Sequence, residues 1–389
     1  MKRKYLIFVV LLVLLLVVPV FLYYSLLADT SEKGEPSGVF VGVDVAYDNV
    51  EEIKRLVDEI SPYTNTIVIG STGITFDIEK LDDVCQYVYD RGFYFMIFGH
   101  PIGDPEKLVF QRQWVVGAKP RWGEQFLGLY AYDETGGWQL DNAYLKAVPT
   151  EDWFADNWTQ AADKYVGAMS FYLNHTIRDQ LGASDMPLFT ADYALYWFDY
   201  KATYDVVFAE FGWNYSRHLN VALDRGAANV LNKDWGVMIT WTYTQPPYLE
   251  SGEELYDDLV LAYENGAKYI LVFDTNKNYT HSILLQDDER LGALKQFWQY
   301  AGENPRPSEP PSDRVAYVLP EAFGYGFRGP EDKIWGLWEA DNFSFKISTD
   351  VGNLIDRYLN RLDIIYDDGL ETNSSYGYSK LVFWNGSGL

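Results

Sequence analysis

Cysteine is almost missing from this chain. Cys85 is the only one in 389 residues, so no internal disulfide and no cysteine-based zinc site can form. Histidine is scarce too: His100, His175, His218 and His281 lie far apart, without His-x-His or His-x-x-x-His spacing. That removes the ligand pattern on which metal-dependent deacetylases and amidohydrolases rely. Positive charge is in short supply, with 31 Lys and Arg against 56 Asp and Glu and a net charge of -25. Such a field repels phosphate backbones and excludes nucleic acid as a partner. A Gly-x-Ser-x-Gly elbow, a phosphate-cradling loop and an EF-hand spacing are all missing, and no metal or cofactor is expected. Stability has to come from packing, for which a chain that is 48% hydrophobic and 17% aromatic has ample material.

Long apolar runs are confined to the N-terminus. Lys2, Arg3 and Lys4 precede an uncharged stretch over 5–27, longer than the apolar core of a signal peptide and long enough to span a bilayer. The expectation is a retained transmembrane anchor rather than a cleaved signal, since Leu26 fits the small-residue cleavage rule poorly. The basic cluster before it and the acidic residues after it place 1–4 in the cytoplasm and everything beyond the 28–38 tether outside. Seven Asn-x-Ser/Thr sequons, at Asn157, Asn174, Asn214, Asn278, Asn342, Asn373 and Asn385, exceed the roughly one or two that chance supplies and fit a glycosylated exterior.

From about residue 39 to 302, short β-branched or aromatic runs alternate with helical periodicity. The strands read as 40–45, 66–70, 94–99, 126–132, 188–192, 206–210, 237–242 and 269–273. Apolar residues at helical spacing follow the first strand (Val50, Ile53, Leu56, Val57, Ile60) and the second (Ile78, Leu81, Val84, Cys85, Val88). Further helices read over 158–181, 216–232, 253–265 and 289–300. The segment 105–124 is weakly patterned, and 193–204 is too aromatic to assign. Eight strands with intervening helices over this length predict an α/β fold of the (β/α)8 TIM-barrel type, with a doubly wound open sheet as the alternative. The proline-rich 303–314 reads as a linker. Beyond it, strands at 315–319, 362–366 and 381–384 and a helix over 348–361 predict a second, smaller α/β domain at 315–389.

In such barrels chemistry gathers at the C-terminal ends of the strands. Those ends carry Asp44, His100, Asp133 and Glu134 (in YAYDET), Asp192, Glu210, Trp241 and Tyr243, and Asp274. Carboxylates crowded on one rim bind cations or perform acid/base work, and two of them across a cleft meet the requirement of glycosidic cleavage: one protonates the leaving oxygen, the other attacks or activates water. Trp122, Trp138, Trp153, Trp197, Trp213, Tyr132 and Tyr248 read as loop aromatics near the same rim, where flat rings stack on sugar faces.

With these residues in place, stretch 39–301 resembles the retaining (β/α)8 glycoside hydrolases, in which an Asn-Glu pair ends the fourth strand and its Glu is the acid/base. Asp133-Glu134 is the matching pair, and the resemblance assigns Glu134 that role. The expected seventh-strand glutamate is replaced by Thr240, Trp241 and Tyr243. Other barrel hydrolases place the second carboxylate on the sixth strand, which selects Glu210, with roles that are exchangeable. Asp44, His100, Tyr132, Asp133, Asp192, Trp213, Trp241, Tyr243 and Asp274 are the expected substrate-binding residues. The C-terminal part resembles the flavodoxin-like or glutamine-amidotransferase-like small domains that follow some of these barrels. Its Gly324-Tyr-Gly326-Phe-Arg-Gly329 has dinucleotide-fingerprint spacing, but Pro330 and the charged residues after it open no apolar helix, so an aromatic glycine turn explains it better. The expectation is a membrane-anchored extracytoplasmic glycoside hydrolase whose partners are a carbohydrate and the membrane. The alternative is a noncatalytic carbohydrate-binding or structural surface glycoprotein.

Overall fold

The computed structural model describes residues 38–307, 311–368 and 376–386. The expected anchor at 5–27, the segment before it and the sequon at Asn373 lie outside the described residues. Among the described residues no helix is long and apolar enough to cross a membrane.

Eight parallel strands close a barrel in sequential order: β1 (Phe40–Val45), β2 (Thr66–Ile69), β3 (Tyr94–Phe98), β4 (Phe126–Tyr130), β5 (Leu188–Asp192), β6 (Val206–Phe211), β7 (Asp234–Ile239) and β8 (Tyr269–Asp274). The pairing of β1 with β8, from Phe40 opposite Tyr269 to Val45 opposite Asp274, closes the ring and excludes the open sheet. β4 stops at Tyr130 and β7 runs three residues earlier than expected, from Asp234. Gly236 explains the second shift. It lies in register between Phe208 of β6 and Tyr269 of β8, and a Cβ there would stand 2.7 Å from the Phe208 ring. The bulky interior therefore requires a glycine inside a strand, where strand propensity argues against one. Phe189, Phe208 and Tyr269 pack in the barrel with ring centroids 5.4–5.9 Å apart, so the interior is a filled core.

The outer helices follow the apolar spacing. Asn49 caps α1 (Val50–Ile60) by accepting from the Glu52 N–H, and Ile53, Leu56, Val57 and Ile60 are buried. In α2 (Ile78–Asp90) Cys85 is buried with Leu81, Val84 and Val88. The weakly patterned 105–124 is a helix, α3 (Pro105–Trp122), started by Asp104 as N-cap with Pro105 at the first position and touching the barrel by a narrow stripe of Gln111, Val115, Ala118 and Trp122. Its Pro120 sits in the last turn, where it removes the hydrogen bond that an N–H there would give to the Val116 carbonyl. Trp122 is buried against Phe95, at the end of the barrel away from the expected rim.

A short helix, α4 (Thr135–Leu140), follows β4. Next come α5 (Trp158–Phe171), which continues as a wider-pitched π-helix over Tyr172–Gln180, and α6 (Tyr196–Lys201), where the sequence was too aromatic to assign. Tyr196, Trp197, Phe198, Asp199 and Tyr200 are all buried, as befits a helix enclosed on every side. Helices α7 (Arg217–Leu231), α8 (Gly252–Glu264) and α9 (Asp288–Glu303) complete the ring.

Beyond the linker, β9 (Val315–Leu319) is the centre of a three-stranded parallel sheet between β10 (Leu362–Tyr366) and β11 (Lys380–Phe383), with α10 (Asn342–Tyr358) as crossover. This sheet lies against the barrel's helices. Trp197 and Phe198 of α6 pack on Tyr366 with centroids 5.3 and 5.2 Å apart. Gly226 of α7 meets the β10 backbone so closely that a Cβ would stand 2.5 Å from the Ile364 carbonyl. At the seam, fully buried Asp363 pairs with Arg225 of α7 at 2.7 Å, with Arg314, and with the Tyr378 hydroxyl at 2.7 Å. Removing one member of such a group leaves buried charge uncompensated. Asp363→Ala should lower the unfolding free energy by about 3–5 kcal/mol in urea titrations, and a loss below about 1 kcal/mol would show that Arg225 and Arg314 find other acceptors.

Candidate functional site

The chain leaves β4 through two left-handed residues, Tyr132 at φ 56° and Glu134 at φ 52°. Side chains resist this conformation, at a cost of about 1–3 kcal/mol each, and it persists only where the surroundings impose it. Here the Thr190 hydroxyl donates to the Tyr132 carbonyl at 2.8 Å, and the Glu134 N–H donates to the Ala191 carbonyl at 2.9 Å. Beneath them, Asp192 accepts from the N–H groups of Gly136, of Gly137 at 2.8 Å, of Tyr193 at 2.8 Å and of Ala194 at 3.0 Å. One carboxylate thus ties the start of α4 to the turn after β5. Both glycines are required: a Cβ on Gly136 would stand 2.5 Å from the Ala194 carbonyl, and one on Gly137 would enter the Tyr193 ring.

Set this way, Glu134 accepts a hydrogen bond from Trp138 Nε1 at 3.0 Å, and the Lys146 ammonium stands 3.9 Å from the centroid of the same indole. Asp133 lines the cleft and accepts from the Tyr130 hydroxyl, which rises out of the barrel interior. Glu210, near the end of β6, is buried at 6% exposure, and no hydrogen bond among the described residues reaches its carboxyl. Its backbone is pinned by Asn220 of α7, whose amide donates to the Glu210 carbonyl at 2.7 Å. No ion pair among the described residues involves Asp133, Glu134 or Glu210.

The electrostatics follow from this crowding. Burial first and repulsion from Asp133 second push the Glu134 carboxyl up to about 7, against the lowering effect of the Trp138 N–H. Glu210 is raised well above the ordinary range by burial and then by Glu134, the strongest charge acting on it, with Asp133 and Asp192 adding to this. Enclosure raises Asp133 as well, the Tyr130 hydroxyl partly reverses this, and Asp192 adds repulsion. Burial lowers His100, which favours its neutral form, with its ring edge-on to Tyr132 at 5.4 Å.

Three of the expected substrate-binding carboxylates, Asp44, Asp192 and Asp274, are buried. Asp192 is held by the four backbone N–H groups named above, and its carboxyl lies against that of buried Asp199. Asp274 is fully buried, held by the Ser282 hydroxyl at 2.6 Å and the N–H groups of Ile283 and Leu284 at 2.8 and 3.0 Å, and pushed up to about 6 by burial. Asp44 is buried below the cleft, with Gly70 so near that a Cβ would stand 2.3 Å from its Oδ1. Among the described residues no group of three His, Cys, Asp or Glu could hold a metal ion.

A cavity of about 420 Å3 lies over the ends of β3 and β4, lined by His100, Tyr132, Asp133, Trp138, Lys146 and Tyr172 among others. Lys146 and Tyr172 escaped the sequence reading because nothing in a loop or a helix flank marks a residue as facing a cleft. Trp213, Trp241 and Tyr243 stand across the mouth, linked by the Trp213 N–H donating to the Trp241 carbonyl at 3.0 Å. Trp197 is core under the C-terminal sheet, and Trp153 stacks on Tyr144 at 4.4 Å. Tyr279, in the loop after β8, is half-exposed and close enough for the charges of Asp133, Glu134 and Asp44 to act on its hydroxyl.

The glycine-rich turn of the C-terminal part braces this site. Gly326 lies against Leu140, Gly336 against the carbonyls of Gln139 and Asn142, and Gln139 donates to the Trp335 carbonyl at 3.0 Å. Arg328 reaches Asp141 at 2.6 Å, and Asp141 also accepts from the Tyr193 hydroxyl at 2.7 Å. The fingerprint spacing thus serves close packing on α4.

No family model and no curated relative matches the chain. Among solved structures, similar chains include an endo-α-mannosidase from Bacteroides thetaiotaomicron (12% identity, covering 66% of this chain and 80% of that one, TM-score 0.40). A thermostable mutant of a xylanase from Cellvibrio japonicus (11%, 66% and 97%, 0.36) and a truncated 3-deoxy-D-arabino-heptulosonate 7-phosphate synthase from Thermotoga maritima (9%, 68% and 89%, 0.35) are further examples. The likeness is to barrels of differing chemistry and does not reach the reaction.

The raised carboxylates have a thermodynamic consequence. The unfolded chain titrates near the ordinary 3.8–4.5, whereas folded Glu134 holds its proton to about 7. Between those values the native state binds more protons, so the contribution is fully present below the unfolded range and is lost as pH rises through about 7. The thermal midpoint should fall from pH 5 to pH 7.5, and Glu134→Gln should flatten part of that fall in scanning fluorimetry. A midpoint that rises over this interval would contradict the crowding of carboxylates.

Proposed function

We propose that this chain hydrolyses glycosidic bonds, with Glu134 and Glu210 as the working pair. The observation that carries the reading is that two glutamates from the ends of β4 and β6 stand at one barrel mouth with no cation on either, near enough for the charge of Glu134 to act on Glu210. One proton shared over such a pair is what the reaction uses: it goes to the departing oxygen, while the ionised partner attacks the anomeric carbon or deprotonates the water that does so. The environments separate the roles. Glu134 receives the indole N–H of Trp138, which favours its anion, whereas Glu210 has no donor and is the more deeply enclosed. Glu210 is therefore the proton donor and Glu134 the nucleophile or base, the reverse of what the resemblance implies.

His100, neutral beside Tyr132, suits a sugar hydroxyl, and the aromatic rings around the mouth suit apolar sugar faces. Extracytoplasmic placement on an N-terminal anchor remains part of the proposal, supported by the sequence of 1–35. Asn157, Asn174, Asn214, Asn278, Asn342 and Asn385 are all exposed, which leaves each open to modification.

Glu210→Gln should lose about 10²–10⁴-fold in rate on a natural glycan but retain activity on dinitrophenyl glycosides, whose leaving group requires no proton. Glu134→Gln should lose both activities, and both variants should still bind glycan. The opposite pattern would exchange the roles, and binding without turnover by the unmodified chain would establish a noncatalytic carbohydrate-binding protein.

A further inference from the structure

The barrel mouth offers more room than one sugar at the carboxylates requires, and the room lies on both sides of them. The sequential closed order of strands puts β3 opposite β7. The 420 Å3 cavity opens over β3 and β4, on the Trp138 side of Glu134. A second cavity of about 530 Å3 lies beyond β6 and β7, bounded by Trp213, Tyr243 and Pro247, three residues past Glu210 in the chain at its nearest wall. Both volumes fall within the range of small-molecule sites.

Rings exposed to water stand on each side: Trp138 at 48% and Tyr172 on one, Trp213 at 39% and Tyr243 on the other. Exposed rings of this size are not needed to build a barrel. The backbone supplies a separate observation. Tyr132, Trp213, Tyr248 and Tyr279, all aromatic and all in the loops at this mouth, hold left-handed backbone conformations. Left-handed backbone in side-chain-bearing residues recurs elsewhere in this fold, at Phe327, Trp335 and Tyr376 among others, and at the mouth it sets the direction in which four aromatic loops leave the strands.

We infer that the ligand is an extended glycan laid across the mouth from the Trp138 cavity to the Trp213 shelf, with sugar units bound on both sides of the bond that is cut. The inference rests on the glycosidase reading and deepens it: the substrate is an oligo- or polysaccharide chain, and the bond broken is internal. A site that trims chain ends needs a wall to reject the next sugar, and here the place for such a wall is the open second cavity.

The test uses the full chain in detergent with reducing-end-labelled hexasaccharides of β-1,4-xylose, β-1,4-glucose, β-1,4-mannose and α-1,6-mannose, alongside a glycan array. The first labelled products should be two to four sugars long. Trp213→Ala should lower kcat/KM for the cleaved hexasaccharide about tenfold, the value of one good stacking contact, and shift the position of the cut. Stepwise loss of single sugars from one end would overturn the inference and leave the glycosidase reading intact. Binding on the array without cleavage, or neither binding nor cleavage, would overturn both.

Discussion

The site depends on a single buried carboxylate. Asp192 gathers four backbone N–H groups from two loops, and this fixes where the chain turns after β4 and after β5 at once. A carboxylate accepting several amide donors is among the stronger local ties available to a protein. Without it, the left-handed turn at Glu134 would rest on the Thr190–Tyr132 and Glu134–Ala191 hydrogen bonds alone, and the start of α4 would lose its tie to the turn after β5. The two glycines that follow Glu134 allow the approach, and Tyr193 fills the space they leave.

The arrangement carries an electrostatic cost. Asp44, Asp133, Glu134, Asp192 and Glu210 raise one another's affinity for protons, so the mouth of the barrel is least comfortable when fully ionised. The C-terminal sheet is where the fold compensates. It contributes the buried Arg225–Asp363–Arg314 group, the aromatic contacts with α6, and the turn that presses α4 from behind through Gly326, Arg328 and Gly336. The second sheet is therefore a structural partner of the candidate site rather than an appendage to it.

The barrel was legible in the sequence because parallel strands buried on both faces read as apolar runs, and outer helices read by their spacing. Two parts escaped for physical reasons. Gly236 sits in a strand only because Phe208 and Tyr269 flank it, which no local rule reports, and α6 has no polar face because a distant sheet covers it. At the site, strand ends pointed to Glu134 and Glu210 without reference to contacts. The same rule selected Asp192 and Asp274, which differ from them in their hydrogen-bond partners and depth, and Asp44, whose Oδ1 is buried without a hydrogen-bond partner among the described residues. Those properties belong to the folded chain. Tyr279 sits inside the sequon of Asn278, in a loop whose sequence carries no mark of the carboxylates it stands near.

The cover that the C-terminal sheet places over α6 also bears on how the molecule is made. Ribosomes deliver the eight barrel strands before β10 (Leu362–Tyr366) and β11 (Lys380–Phe383) of the covering sheet. Until then Trp197 and Phe198 face solvent with no partner from β10, and the seam around Arg225 lacks its acid. The nascent barrel is thus born with a sticky flank, and a chain stopped before Leu362 would present that flank permanently. Quality control that recognises exposed aromatic surface would treat chains with and without β10 as different molecules, although both contain every residue of the barrel.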